Sequence, residues 1–575
     1  MSAKLFQVAL VIEGEYISSW HYLMLERLLA VEGISLVAAI SRTPQPISFW
    51  QRIGLALFHG LKKVDALLFN SPANAQAAKS VLGVLGDVTM CEAGGKRFQE
   101  LLAVGPVDIV VDLSGQEPLP ETILWARQGV WCHFFGRPAS LSDKFVGMRE
   151  YATRQDEIVS GLERIMETRA EPERLFYATT STDPASINRG IERTLWKMAD
   201  FIPQRFQEIL HAGEDAFYRN VQGRLIHFPL VPTYQLHPPA LWIACQVLLR
   251  YPANFIRKLY LAMFRSEQWV LLLGEHDDVR DAGALEHFRK LIPPPDRFWA
   301  DPFVVMHAGE HYVFFEEMLY ERGIGHLACI RLNREGGHSE PVKVLEQPYH
   351  LSYPFVFNYQ GQYYMIPETA SNHSVELYRC EEFPHRWVFE KKLMDGVEAY
   401  DATLQEHGGK WWMFVSMRTH SSCSPNEALY LFHADSPLST EWQAHPQNPV
   451  VSRASHARPG GRLFASEGRL YRPSQNCAGV YGRGLNINLI RQLDEQVYRE
   501  ETVSSCLPDG GNDMNGLHTL GVGKGVSVAD AVHLRRRLGI LDRWLEKIGG
   551  FFNRLGMTGR LLVVATPMAI FWIDV

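Results

Sequence analysis

The chain has 575 residues, with 57 Lys and Arg against 64 Asp and Glu and a net charge of −7 at pH 7. That length exceeds what one hydrophobic core organises and predicts about three domains, and the acidic balance excludes the broad basic surface of a nucleic-acid binder. Eight cysteines stand singly with no metal-ligand spacing, and the N-terminus enters a strand without a signal-peptide pattern, so a reducing, cytoplasmic setting is expected.

The first two hundred residues alternate short apolar runs with helical stripes. Strands are predicted at 6–12, 34–40, 64–69 and 107–113, with a helix over 19–31 and another over 191–210. This order makes an open, mostly parallel α/β sheet, with ligand sites at the carboxyl ends of its strands. The turn after the first strand reads Glu13-Gly14-Glu15, which is no dinucleotide fingerprint.

Three stretches, VDIVVDLSG at 107–115, GVWCH at 129–133 and TTSTDPASINRG at 179–190, resemble the formyltransferase family over residues 5–210. The resemblance implies a Rossmann-like sheet over 1–212, formyl-tetrahydrofolate as the ligand and His133 as a site residue. The pattern departs from that family at Trp131, where an asparagine polarising the formyl carbonyl is expected. A histidine that simply fills a strand end is the alternative for His133.

Residues 213–290 read as a helical or irregular linker. Within it, 238–264 suggests two short amphipathic helices broken at Pro252, with Arg250, Arg257 and Lys258 interrupting the apolar run. Such basic, aromatic helices lie in membrane interfaces, so peripheral contact at the inner membrane is one expectation and docking against the next domain the other.

From Asp301 onward one short pattern recurs five times. Aligned on glycine, the copies are DPFVVMHAGEHYVFFE (301), YPFVFNYQGQYYMIPE (353), DATLQEHGGKWWMFVS (401), GGRLFASEGRLYRPSQ (460) and LHTLGVGKGVSVADAV (517). The glycines Gly309, Gly361, Gly409, Gly468 and Gly525 recur every 48 to 59 residues, each between two strand-like runs. This period predicts a five-bladed β-propeller over 291–540, followed by a C-terminal helix and apolar tail over 541–575. The fold class is therefore α/β plus all-β.

In an antiparallel hairpin the first residue of one strand and the last of the next share an end. Those columns hold Asp301 with Glu316, Tyr353 with Glu368, and Asp401 with Ser416. If each hairpin is the inner pair of a blade, four carboxylates converge at one mouth, where crowding shifts proton affinities as acid/base chemistry requires. Trp299, Tyr353 and Tyr400 stand beside these acids as candidate aromatic platforms for a sugar ring.

FWADPFVV at 298–305, HLSYPFVF at 350–357, YYMIPET at 363–369, YDATL at 400–404, ADSPLSTEW at 434–442 and ARPGGRLF with GRLYRPSQ at 457–475 carry a second resemblance. They resemble the five-bladed propellers of arabinanase- and xylosidase-type glycosidases, and more closely the N-terminal propeller of plant glucosamine inositolphosphorylceramide transferases and of bacterial relatives fused to formyltransferase-like domains. The glycosidase likeness implies Asp301 as general base and Asp401 as the orienting aspartate. The general acid does not carry over, because Arg458-Pro459-Gly460 stands where a glutamate is expected, and a guanidinium donates no proton at neutral pH.

Glu368, with Glu316 behind it, is then the candidate acid. Arg458 is either an anion clamp for a phosphate-bearing sugar or an ion-pair partner of Asp401 or Glu368. His518 in the fifth copy is a candidate axial metal ligand, with calcium the ion considered. The leading expectation is a carbohydrate-active, glycosyltransferase-like enzyme of surface polysaccharide or glycolipid synthesis, acting on a glycosyl or sugar-phosphate substrate. A sugar N-formyltransferase using the propeller to hold its acceptor, and a non-catalytic glycan-binding scaffold, are the alternatives.

Overall fold

The computed structural model describes residues 5–536, apart from 47, 70–72, 137–145, 170, 226–241, 244, 251, 253–255, 257–264, 278, 334–336 and 509–513, together with 560–566 and 569–574.

The N-terminal unit is a seven-stranded sheet. Its order is Met90–Glu92, Ile34–Arg42, Phe6–Glu13, Ile109–Asp112, Val130–Phe135, Glu157–Ile165 and Glu173–Ser181. The first five strands run parallel and the last two antiparallel. Val8, Leu10, Ile109, Val111 and Trp131 bury one face against helices including Ser19–Leu29, Ile187–Met198 and Phe201–Ala212.

Two expectations are corrected here. Residues 64–69 are no strand: they close the helix Phe49–Leu68, and the short Met90–Glu92 takes the outer parallel position. Reading six apolar-rich residues alone hid a 3.6-residue period that runs through all twenty. The single helix expected at 191–210 is two, separated at Ala199 and Asp200.

The propeller is five four-stranded antiparallel sheets. Blades one to three start with the inner strands Arg297–His307, Ser352–Tyr359 and Ala399–His407; blade four starts with Phe464–Ser466 and blade five with Met514–Gly523. All five glycines that align the repeat have positive φ, between +71° and +83°, in the turn after each inner strand. A left-handed turn residue is what glycine adopts without steric cost.

Blade five is completed from upstream. Its outer two strands are Arg265–Gly274 and Arg289–Leu291, from the stretch expected to be linker, and Arg265–Gly274 pairs residue for residue with Val526–Arg536 from Arg265↔Arg536 to Gly274↔Ser527. Most of 238–264 lies outside the described residues. Among those described, no helix is long and apolar enough to cross a membrane. In the C-terminal segment the apolar tail is a hairpin, Arg560–Thr566 with Ala569–Asp574, and the helix expected before it lies outside the described residues.

The sheet unit docks on blades three and four. The buried ammonium of Lys197 donates to the carbonyls of Thr179 (2.8 Å) and Glu427 (3.0 Å), the Thr179 amide donates to the Ser452 carbonyl (2.9 Å), and Trp196 stacks on His420 at 4.2 Å. The Gly479 amide donates to Ser181 Oγ at 2.8 Å. His420, Glu427 and Gly479 lie on loops joining second to third strands, which is the end of the ring where the acidic columns open.

Candidate active site

Three inner strands carry the same irregularity. The register skips between Ala300 and Phe303, between Ser352 and Phe355, and between Tyr400 and Thr403, so each strand has one extra residue opposite its partner. Asp301, Tyr353 and Asp401 sit in these bulges with φ of +54°, +45° and +56°. Left-handed backbone costs a non-glycine residue ~1–2 kcal/mol, and a bulge re-aims the side chain it holds. The strain is spent turning three homologous side chains toward the axis.

Asp301 is held from two neighbouring blades, two and five. Its Oδ1 accepts from Thr519 Oγ1 at 2.7 Å and its Oδ2 from the Tyr353 amide at 3.3 Å, while its own amide donates to Asp530 Oδ2 at 2.8 Å. His518 lies between two carboxylates, with Nε2 3.3 Å from Asp301 Oδ1 and Nδ1 2.7 Å from Asp530 Oδ2. Burial pushes the Asp301 carboxyl up to about 6, with Asp401 and Asp530 adding to the rise and His518 and Thr519 opposing it. Burial alone would lower His518, but the adjacent Asp530 and Asp301 charges outweigh it and raise its pKa.

Glu368 ends the second strand of blade two, and Glu316 lies within the second strand of blade one, Glu310–Leu319. Burial, reinforced by Asp301 and Glu368, pushes the Glu316 carboxyl well above the usual carboxylate range. Its Oε1 lies 3.4 Å from Nε2 of the half-exposed His350, whose Nδ1 accepts from the Gly325 amide at 3.0 Å. That amide fixes the tautomer, leaving the Nε2 hydrogen facing Glu316. Burial and then Asp401 raise Glu368 to about 7, against donations from the Ala370 amide (2.6 Å) and Ser352 Oγ (3.3 Å) and the pull of Arg458.

Asp401 is gripped by Arg458, through Nε to Oδ2 at 2.6 Å and Nη2 to Oδ1 at 3.1 Å, and accepts from Gln475 Nε2 at 2.9 Å. Arg458 Nη1 donates to Asn426 Oδ1 at 2.6 Å, and the guanidinium lies over the rings of Tyr481 (5.2 Å) and Tyr400 (5.7 Å). Of the two expectations for Arg458, the geometry is that of the ion pair.

The structure thus brings Asp301, Glu316, Glu368, Asp401, Arg458, Tyr400 and His518 to one mouth. Two of the aromatic candidates face elsewhere. Trp299, 3% exposed, packs in the core and donates to Glu317 Oε1 at 2.9 Å. Tyr353, with no exposed surface, crosses the ring so that its hydroxyl meets Thr403 Oγ1 and the Gly461 amide, both at 2.8 Å; its ring plugs the axis, and only its amide serves the site.

His133 lies far off in the sheet unit. It is buried, neither ring nitrogen has a hydrogen-bonded side-chain partner, and burial lowers its pKa to about 3. It borders a cavity of about 170 Å³ with Glu13, Ser18, His21, Asp112 and Gln116. Trp131 turns away to pack on Phe206 and Phe217. Among the described residues no carboxylate is hydrogen-bonded to His133, Trp131 offers no amide, and the amide side chain that borders the cavity, Gln116, donates to Glu13 Oε1 at 3.0 Å and the Thr43 carbonyl at 3.2 Å.

Sequence reasoning missed Asp530, His350, Tyr481 and Gln475. Asp530 was within reach: it stands two residues before the end of the fifth copy, on the same strand face as the acid column. Tyr481 comes from a loop with no repeat, yet its ring contacts both Arg458 and His518.

Asp301, His518 and Asp530 are the described group closest to a metal site, with ligand atoms within 4.8 Å of one another. Calcium takes six to eight oxygens. Here each carboxylate oxygen already accepts a hydrogen bond from Thr519 or a backbone amide, and the third group is an imidazole nitrogen rather than an oxygen. The group does not fit calcium, and its geometry is that of an imidazole between two carboxylates.

Fold and site together define a five-bladed β-propeller with a buried acidic cluster at one axial mouth. Residues 291–521 match the family model described as glucosamine inositolphosphorylceramide transferase 1, N-terminal. The glucosamine inositolphosphorylceramide transferase 1 of Oryza sativa subsp. japonica is 36% identical over 229 residues, and that of Arabidopsis thaliana 35% over 229 residues. In both, the match covers 39% of this chain and 30% of the relative, so this chain spans less than a third of the relatives it matches. Among solved structures, a family 117 glycoside hydrolase of Zobellia galactanivorans superposes with a TM-score of 0.30 at 11% identity (46% of this chain, 90% of that one). The catalytic domain of a Coprinopsis cinerea α-L-arabinofuranosidase gives 0.29 at 12% (40% and 90%).

Proposed function

We propose that this protein is a carbohydrate-active transferase whose reaction runs at the propeller's axial mouth. One observation carries the reading: buried carboxyls from three consecutive blades converge there, and two of them, Asp301 and Glu368, are held near neutrality at about 6 and about 7. Groups so poised exchange protons at working pH, which ordinary carboxylates do not.

In this reading Asp301, the more acidic of the two, takes the proton from an acceptor hydroxyl. Glu368, about half protonated near pH 7, gives one to the leaving oxygen. Asp401, paired with Arg458, orients the others, and Tyr400 and Tyr481 supply aromatic surface beside the guanidinium. The relatives' name contains glucosamine and inositolphosphorylceramide, and these are the first compounds to test.

The experiment is turnover of the full chain with glucosamine-bearing donors and inositol-phosphate lipid acceptors, alongside Asp301→Asn and Glu368→Gln. Product from the wild type, lost in both variants, is the expected result. Full activity in Asp301→Asn would move the chemistry elsewhere. Saturable sugar binding without any turnover would favour recognition alone, a second reading supported by the guanidinium of Arg458 standing where the glycosidase-type propellers resembled in sequence have their acid.

A further inference from the structure

The helix Phe49–Leu68 carries two apolar faces where a docked surface helix needs one. Its inner face, including the buried Gly54, Phe58 and Asp65, packs on the sheet unit. A second stripe points outward: Trp50, Leu57, Val64 and Leu68 fall at spacings of 57−50 = 7, 64−57 = 7 and 68−64 = 4, with Phe49 and Leu67 at its edge. Trp50 is 62% exposed, Phe49 68% and Leu67 87%. Large apolar side chains concentrated on one solvent face mark an interaction surface.

Charge says what covers it. Beside the apolar stripe runs a second one of Arg52, His59 and Lys63, all exposed, at spacings of 59−52 = 7 and 63−59 = 4. The helix has a single acid, Asp65, and it faces inward, accepting from Ser186 Oγ at 2.8 Å and the Asn188 amide at 3.1 Å. Lys62 is likewise turned in, toward Gln76 and Glu192. The outward face therefore combines aromatic and aliphatic side chains with the cations Arg52 and Lys63 and no carboxylate of the helix, which is the composition of a helix lying in the headgroup layer of an anionic bilayer. A second copy of this chain fits less well, because such a contact would bring the cations of both copies together.

We infer that the outer face of Phe49–Leu68 seats the protein on anionic membrane surfaces. This does not depend on the axial site or its chemistry. The test is flotation of the full chain with vesicles of phosphatidylcholine alone and of phosphatidylcholine with about one third phosphatidylserine. Wild type should float with the anionic vesicles and less so in high salt. Trp50→Ser with Leu67→Glu should weaken binding by about tenfold or more on both compositions. Arg52→Glu with Lys63→Glu should weaken it on the anionic vesicles only. All these positions are exposed, and unchanged thermal melts would confirm folding.

Wild type remaining in solution with both vesicle types overturns the inference, as does equal flotation of wild type and both double variants. A wild-type dimer that Trp50→Ser with Leu67→Glu converts to monomer, without vesicle binding, overturns it in favour of a second copy.

Discussion

Arg458 closes on both carboxylate oxygens of Asp401, at 2.6 and 3.1 Å, and both side chains are buried. The pair joins blade three to the segment leading into blade four. Removing one partner leaves the other charge buried without compensation. Arg458→Met should therefore destabilise the propeller by about 3–5 kcal/mol. The double substitution Arg458→Met with Asp401→Asn should recover part of that loss, as read by denaturant unfolding of the four members of the cycle.

Asp301→Asn keeps the shape of the side chain and its contact with Thr519 while removing the base. We expect turnover to fall by about a hundredfold to ten-thousandfold, with the melting temperature unchanged or raised, since a buried charge is lost. Initial rates and a thermal melt on the same preparation check it. A parallel fall in stability would mark Asp301 as structural.

Acidity should affect folding and rate differently. Asp301 and Glu368 have folded pKa values of about 6 and about 7 against usual values of 3.8 and 4.5, so the folded state binds more protons between them and stability declines as pH rises through that window. His518, raised above 6.5, contributes stability that is present at lower pH and lost as pH rises through its folded pKa, so it acts in the same direction. Unfolding free energy should fall from about pH 4 to pH 7, less steeply in Glu368→Gln. Rate requires Asp301 ionised and Glu368 protonated, and should follow a narrow bell between about 6 and 7.

Gly325 packs where a methyl group does not fit. A Cβ there would lie 2.6 Å from Glu316 Oε1, 2.8 Å from His350 Cε1 and 2.8 Å from the Leu351 carbonyl. Gly325→Ala should cost about 1–3 kcal/mol and separate His350 from Glu316, seen as a lowered melt together with a displaced His350 imidazole resonance.

The ring itself was legible because five glycine turns between alternating strands are a local signal: each turn demands positive φ whatever surrounds it. Asp301, Glu316, Glu368 and Asp401 were legible for the same reason, as columns of that repeat. Gln475 closes the fourth copy in the column of Glu316 and Glu368 and was passed over because it is not an acid, whereas His350 and Tyr481 reach the mouth from outside the columns, through connections between strands. Trp299 and Tyr353 show the complementary limit: composition marks an aromatic residue beside an acid, but one bulge decides whether the ring faces solvent or the axis. The antiparallel strands Glu157–Ile165 and Glu173–Ser181 were missed because they are buried along most of their length and show no alternation.

The clasp in blade five ties together parts of the chain that a sequence match separates. Cutting before residue 291 would keep the whole matched region and still remove Arg265–Gly274 and Arg289–Leu291, exposing the edge of Val526–Arg536 along ten paired positions. A fragment designed on the matched boundaries would lose Val526–Arg536 as well and be an open, aggregation-prone crescent, whereas one running from upstream of Arg265 through Arg536 would close. The toroid is in this sense stitched to whatever precedes it, so the sheet unit and the propeller share a fate during synthesis: the last blade waits, half built, until its first-made strands are met by its last.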